Sequence, residues 1–568
     1  MSKRQHNNFF HSARFVGIVL VLAVLLLVLI ARMVYLTVID RSFLAKQGDI
    51  RAIHYVNIPA YRGMIVDRNN NPLAISVPVD SIWINPKIFP DEQKLIFQLA
   101  GLLKINPATI SKLLMANKNK QFVYLKRNVP LDLAKQVQML AIPGVYFEAS
   151  YQRFYSQANI LAPVLGFTGV DNQGQEGLEL KYNNQLKGTV GREKVIRDRH
   201  GHTVAILDVE KKPESGKNLV LSIDQRIQYL TYRVLKETVN KFKADYGSIV
   251  VLDPRNGEIL AMANFPSFNP NDRRGKETSN YRNRAVTDMF EPGSTMKTFS
   301  IASALASGNY TPDSIVDTGN GSYKIGPNTI HDDSDNGVID VTKILQVSSN
   351  IGAAKLTLSL PPENLLNLYH QVGFGQKTAL AFPGEAPGYV PPDHQHWRPI
   401  DLATLAFGYG VMTTTLQLAD AYAVIADDGL RCPVTLLKRD QSPECKRVMN
   451  AKTATAMKTM LASVLQPGGT GTLANIPDYT VVGKTGTAYI AKADGKGYDR
   501  KSYTSSFVGI APASNPRLVV AVVIRRPHGQ HFGALVAAPA FAKIMLGALQ
   551  ILNIPPDKMP SKSNKVSS

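Results

Sequence analysis

Ser294 and Lys297 stand three residues apart in Met289–Lys297, which reads Met-Phe-Glu-Pro-Gly-Ser-Thr-Met-Lys. Pro292-Gly293 breaks the chain before an apolar helical pattern. That places Ser294 near a helix N-terminus, with Lys297 on the same face one turn along. A serine hydroxyl is a weak nucleophile until a base takes its proton. A lysine does this once burial or a second cation lowers its pKa, and a helix N-terminus supplies positive potential where negative charge develops. No other serine in the chain has a lysine at this spacing.

Two further stretches fit the same chemistry. In Val481–Thr487, Val-Val-Gly-Lys-Thr-Gly-Thr, two valines suit the start of a buried strand. Lys484, Thr485 and Thr487 offer an ammonium and two hydroxyls to a substrate carboxylate, and Gly486 permits close backbone approach. Gly483-Lys484-Thr485 also imitates the end of a phosphate-binding loop, but that loop needs glycine where this chain has Asp478. The third stretch is Ser348-Ser349-Asn350, inside the helical pattern Val341–Leu356. Ser-x-Asn also begins at Ser267, Ser307 and Ser334. Ser334-Asp335-Asn336 is set aside because Asp332–Gly337 has turn composition throughout and would not hold a side chain rigidly. At Ser348, with a helix beneath it, the hydroxyl can relay a proton and Asn350 can hold a substrate amide.

These residues need a frame. Gly247–Asp253 and Glu258–Asn264 read as strands joined by Pro254-Arg255-Asn256-Gly257, and Ser506–Ala511 and Leu518–Arg525 as a second hairpin. Leu219–Ile223 reads as a strand before a helical pattern from Asp224 to Lys241. Residues 285–465 are mostly helical in pattern, and Ala538–Leu552 is an apolar helix. Strands early and late with helices between predict an α+β domain, an antiparallel sheet assembled from both ends and covered by helices. The polar stretch 209–218 marks a boundary. The expected domains are a cytoplasmic tail (1–14), a transmembrane anchor (15–39), a mixed, elongated region (40–215), a catalytic domain (216–554) and a polar, disordered tail (555–568).

The anchor rests on Phe15–Ala31, uncharged and rich in Leu, Val and Ile, and on Met33–Ile39 beyond Arg32. Together they reach a bilayer-spanning length of roughly 17–25 residues. Lys3, Arg4 and Arg14 precede the span and predict a cytoplasmic N-terminus with the bulk of the chain outside. Net charge is +20, but the positive charges are scattered and no nucleic-acid-binding module is recognisable, so nucleic acid is not an expected partner. Cys432 and Cys445 admit either one disulfide or two free thiols, and two cysteines fall short of a zinc set. The pairs His200/His202 and His394/His396 sit in loop-like stretches and are not expected to bind metal.

Ser-x-x-Lys, Ser-x-Asn and Lys-Thr-Gly, in that order, resemble the signature of the penicillin-recognising serine enzymes. The wider chain resembles the class B penicillin-binding proteins. Arg62–Arg68, Gly174–Glu179 and Arg153–Ser156 resemble pedestal motifs, with Ser156 where many relatives have proline. Leu221–Asp224 and Ala406–Gly410 resemble motifs of the transpeptidase domain. Arg4-Gln5-His6-Asn7, the length, and asparagine at position 350 are similar to the cell-division branch.

The resemblance implies a serine β-lactamase-like transpeptidase domain on a non-catalytic pedestal, with no metal and no organic cofactor. It implies that Ser294 attacks the D-Ala-D-Ala end of a peptidoglycan stem peptide, that Lys297 is general base with Lys484 helping keep it neutral, and that Ser348 relays a proton. Asn350, Thr485, Gly486 and Thr487 would bind substrate, and the backbone N–H groups of Ser294 and Thr487 would form the oxyanion hole. An amine from a second stem peptide would complete a cross-link in the septal wall, and β-lactams would acylate the same serine. Implied partners are a membrane glycan polymerase and other division proteins, at the bacterial inner membrane with a periplasmic catalytic domain. The alternatives are an elongation-specific transpeptidase or a D,D-carboxypeptidase of the same fold, and a non-catalytic β-lactam sensor or division scaffold.

Overall fold

The computed structural model describes residues 6–197, 203–273, 277–392, 397–492, 494–495 and 497–558. The chain packs as two compact units, each drawn from several segments. The first is Met1–Tyr61, Pro78–Tyr151 and Gly188–Ser215; the second is Arg62–Val77, Gln152–Lys187 and Gly216–Ser568.

In the first unit the N-terminal helix runs His6–Val34, followed by one π-helical turn, Tyr35–Ile39. Its apolar stretch Ala13–Ile39 is 27 residues long with none of its most apolar window buried, enough to cross a bilayer once. Ile53–Ile58, Gly191–Arg197 and Thr203–Lys211 form a three-stranded antiparallel sheet. A separate small core gathers Ile82, Leu99, Leu103, Ile110 and Val129 under the amphipathic helix Gln93–Leu103.

The second unit is built on a five-stranded antiparallel sheet. Its strands are β1 (Tyr246–Leu252), β2 (Ile259–Phe265), β3 (Val482–Ala491), β4 (Tyr498–Ala511) and β5 (Leu518–Arg525), in the order β2-β1-β5-β4-β3. The two expected hairpins meet at the centre, where Val250 pairs with Met262 on one side and with Ala521 on the other. Helix α1 (Gln225–Lys241) starts at Asp224, whose carboxylate accepts from Arg226 N. The helices of the middle region used below are α2 (Lys297–Ala306), α3 (Val341–Val347), α4 (Asn350–Leu358) and α5 (Thr415–Ala426), followed by the C-terminal α6 (Ala538–Ile551). α1 and α6 pack on each other and on the sheet, while α5 is buried at every residue and packs on β1 and β5. Its apolar residues lie on every side, and its few polar ones are bonded inside the core, Asp420 to Arg431 and Gln417 to Thr414.

The pedestal-like motifs converge inside this second unit. Arg62 Nε donates to Glu179 Oε2 at 2.6 Å and Arg153 Nε to Glu179 Oε1 at 2.7 Å, all three side chains essentially excluded from solvent. Asp67, in the same stretch as Arg62, accepts from Gln225 N at the start of α1. Ser156 keeps a turn that proline could not make in this way: its N–H donates to Leu73 O at 3.1 Å and its hydroxyl to Pro72 O at 2.6 Å. Leu219–Ile223 is strand only at Leu219–Val220, paired in parallel with Ile65–Val66. Asp557, expected in the disordered tail, is instead tied down, accepting from Thr480 N at 2.6 Å and from the hydroxyls of Thr480 and Ser514.

Candidate active site

Ser294 lies in one 3₁₀ turn, Gly293–Met296, that runs directly into α2. In a 3₁₀ turn residues i and i+3 eclipse one another, which stacks Ser294 beneath Lys297. Two glycines let this turn lie on strand β3. Gly293 has φ +58, and a Cβ there would meet Thr487 O and Ala488 Cβ at 3.2 Å; a Cβ on Gly486 would lie 2.8 Å from Pro292 O and 2.3 Å from Ser506 Oγ. From α5, Tyr422 O–H donates to Thr295 O at 2.8 Å and also meets the Thr298 hydroxyl, fixing the start of α2. Ser294 is half-buried, and its Oγ has no hydrogen-bond partner among the described residues.

Two lysines converge on one hydroxyl. Lys297 Nζ donates to Ser348 Oγ at 3.1 Å and to Ser348 O, and Lys484 Nζ donates to the same Ser348 Oγ at 2.9 Å. Both lysines are 0% exposed. Burial disfavours the ammonium form, so Lys297 is brought down to about 7, opposed by the carboxylates of Asp332 and Asp333. Lys484 is pushed well down, first by burial and then by the charge of Lys297. Burial leads in both, so dehydration does more here than the lysine–lysine repulsion expected from sequence to keep Lys297 neutral.

The helical pattern Val341–Leu356 is not one helix. α3 ends at Ser348, which adopts the left-handed conformation (φ 63, ψ 42), and α4 restarts at Asn350 with Ser349 as its N-cap. A non-glycine residue held there carries a cost of order 1–3 kcal/mol, and such strain collects at functional sites. The break aims both the carbonyl and the hydroxyl of Ser348 at Lys297. It is secured by Asp332, whose carboxylate accepts from Ser349 Oγ, Asn350 N and Ile351 N. Asp332 opens the stretch read from sequence as a turn; its capping role depends on a loop folding back over the start of α4, which no local pattern announces. Asn350 Nδ2 donates to His331 O at 2.8 Å, so that amide is already engaged.

On β3, Lys484 and Thr485 are buried and Thr487 is partly exposed. Thr485 Oγ1 pairs with Thr470 Oγ1 at 3.0 Å, and Thr487 Oγ1 accepts from Gly533 N at 3.0 Å. β3 ends the sheet order, so its outer backbone groups are not taken by a neighbouring strand. Sequence reasoning passed over Thr470, which acts through Thr485, and Tyr422, which holds Thr295 and Thr298 on either side of Lys297. The structure thus brings Lys297, Ser348, Lys484 and Thr485 together beside the turn carrying Ser294. Cys432 and Cys445 are joined in a disulfide across the arms of the short hairpin Leu430–Arg431/Lys446–Arg447. His200, His202, His394 and His396 lie outside the described residues.

Residues 247–546 match the penicillin-binding protein transpeptidase domain, and residues 57–221 match the penicillin-binding protein dimerisation domain. Over 547 residues the chain is 43% identical to the probable peptidoglycan D,D-transpeptidase PbpC of Pseudomonas aeruginosa, covering 96% of each. It is 38% identical over 563 residues to the peptidoglycan D,D-transpeptidase FtsI of Escherichia coli, covering 98% of this chain and 95% of that one. Among solved structures it resembles penicillin-binding protein 3 of Mycobacterium tuberculosis complexed with aztreonam, with 28% identity, a TM-score of 0.69, and coverage of 89% of this chain and 98% of that one. With both domains matched and full-length relatives above 30% identity, the chain belongs to the class B penicillin-binding proteins of FtsI type.

Proposed function

We propose that this chain is a peptidoglycan D,D-transpeptidase that cross-links stem peptides through an acyl-enzyme on Ser294. The observation that carries the reading is the double donation to Ser348. A neutral lysine amine has two hydrogens, and both hydrogens of Lys297 Nζ are committed to Ser348, one to the carbonyl and one to the hydroxyl. Its remaining lone pair is available for the proton of Ser294, the eclipsed residue one turn below. Ser348 Oγ in turn accepts from Lys297 and Lys484. Its own hydrogen is left to pass to a leaving group.

In acylation the Ser294 proton moves to Lys297 while Oγ bonds to the penultimate D-alanine carbonyl carbon. The C–N bond then breaks, and the leaving D-alanine nitrogen takes a proton through Ser348. The backbone N–H groups of Ser294 and Thr487 stabilise the oxyanion. Lys484, Thr485 and Thr487 take the terminal carboxylate, whose charge offsets the burial that holds Lys484 low. Gly486 lets substrate lie along β3 as an added strand, and Asn350 contributes its amide oxygen. In deacylation an acceptor ammonium first gives one proton to Lys297, which later returns it to water. As the new N–C bond forms and the ester C–Oγ bond breaks, a second proton passes from nitrogen to Ser294 Oγ. β-Lactams acylate the same oxygen.

Residues 40–215 form a non-catalytic pedestal in this reading. The enzyme acts at the septum, held in the inner membrane by its N-terminal apolar helix with the catalytic domain periplasmic, beside a glycan polymerase and other division proteins. Labelling the full-length protein with fluorescent penicillin, wild type beside Ser294→Ala, tests the chemistry. Slow stoichiometric labelling lost in the variant supports it, and rapid sustained nitrocefin turnover by the wild type favours a hydrolase instead. A fluorescent fusion spread along the side wall would contradict septal placement.

A further inference from the structure

Three residues before Ser294, Glu291 carries a carboxylate used on one side only. Its Oε1 accepts from Gly410 N at 2.8 Å and from Tyr498 O–H at 2.9 Å. Its Oε2 has no hydrogen-bond partner, and Glu291 has no salt bridge, among the described residues. Arg525 acts on it only through space, its guanidinium being hydrogen-bonded to Thr504 Oγ1 at 2.7 Å. The niche is walled by two phenol rings. Tyr409 and Tyr498 meet edge to face at 5.1 Å, and the Tyr409 hydroxyl oxygen (Oη) accepts from Tyr489 N at 3.2 Å. The carboxylate is partly dehydrated, with burial raising its pKa, while Tyr498 stays 37% exposed and keeps the niche open to solvent.

Glu291 is half-buried, and its unbonded Oε2 is left to water or to an entering cation. One free carboxylate oxygen beside aromatic rings suits an alkylammonium, which gains both the charge-assisted hydrogen bond and attraction to the ring faces. The niche is tied to the reaction centre. Gly293 N donates to Gly408 O at 3.3 Å, fastening the turn before Tyr409 to the segment that carries both Glu291 and Ser294. Three residues of chain span at most about 10 Å, within reach of a diamino-acid side chain.

We propose that Glu291, held by Gly410 and Tyr498 and walled by Tyr409 and Tyr498, binds the ammonium group of the acceptor stem peptide before its attack on the acyl-enzyme. This rests on the transpeptidase reading of Ser294, and the test separates the two. Full-length protein is acylated with a small thioester donor, and an acetylated lysine amide serves as the acceptor amine. The partition between aminolysis and hydrolysis is followed as acceptor concentration rises, with fluorescent penicillin measuring acylation in parallel. Glu291→Gln raises the acceptor concentration for half-maximal aminolysis about tenfold, as loss of one charge-assisted hydrogen bond would, and lowers aminolysis by more than it lowers acylation. Tyr498→Phe, which keeps the ring, shifts the same quantity in the same direction by about threefold. A half-saturation within twofold of wild type in Glu291→Gln, or acylation falling as far as aminolysis, overturns the assignment. Failure of the wild type to be acylated overturns the reading of Ser294 and this assignment with it.

Discussion

Replacing Lys297 with methionine should abolish acylation and stabilise the protein, most at low pH. The side chain is wholly buried and its pKa is brought down from 10.5 to about 7. Between those values the unfolded chain holds a proton that the folded chain does not, so stability rises with pH through this window. Below about pH 7 both states are charged and the fold bears the full cost of a buried ammonium, about 5 kcal/mol at about 1.4 kcal/mol per unit. From pH 6 to pH 9 the wild type regains roughly two of those units, about 3 kcal/mol, and the methionine variant does not. The assay is unfolding of full-length protein in detergent at pH 6, 7.5 and 9. Lys484 titrates in both proteins, held low by burial in each and by the charge of Lys297 only in the wild type, so the quantity of interest is the pH dependence of their difference. A stabilisation by methionine that shrinks by about 3 kcal/mol across the range, with wild-type acylation rising through pH 7, fits a neutral base. A constant difference would show that Lys297 remains charged in the fold and cannot take the Ser294 proton.

Asp332→Asn removes a carboxylate that favours protonated Lys297 and weakens the start of α4. The acid limb of the acylation pH profile should move to lower pH, with about 1 kcal/mol lost in denaturant unfolding; a move to higher pH would contradict the electrostatics. Glu179→Gln leaves the guanidinium groups of Arg62 and Arg153 buried without their counter-charge and should cost about 3–5 kcal/mol in unfolding. Cys445→Ser opens a loop closed across a sequence separation of 13. It should lower stability by about 3 kcal/mol, read from the shift in unfolding midpoint beside untreated and reduced wild type.

Much of the second unit was readable locally. Pro254–Gly257 and Pro512–Pro516 are turn chemistry between largely apolar runs, and those runs fall in β1, β2, β4 and β5. That early and late strands share one sheet followed from their order, and the structure joins them at β1 and β5. The break at Ser348 was hidden because apolar periodicity continues on both sides of Ser-Ser-Asn, and only the conformation of Ser348 shows that α3 has ended. Asp332 looked like an ordinary turn residue because its partners lie 17 to 19 positions away. The Arg62–Glu179–Arg153 cluster joins residues up to 117 positions apart, and segments 62–77 and 152–187 pack with the later part of the chain. Pairings at such separation leave no periodic trace.

The central claim is that one hydroxyl, activated by the lysine a turn above it, carries the acyl group. Mass spectrometry of penicillin-treated protein after tryptic digestion tests it most directly. The account predicts one adduct, on Ser294 in the peptide Ala285–Lys297, and none in Ser294→Ala or in Lys297→Met, where loss of the cleavage site extends the peptide to Lys324. An adduct on any other residue, or undiminished labelling of Ser294 without Lys297, would contradict it.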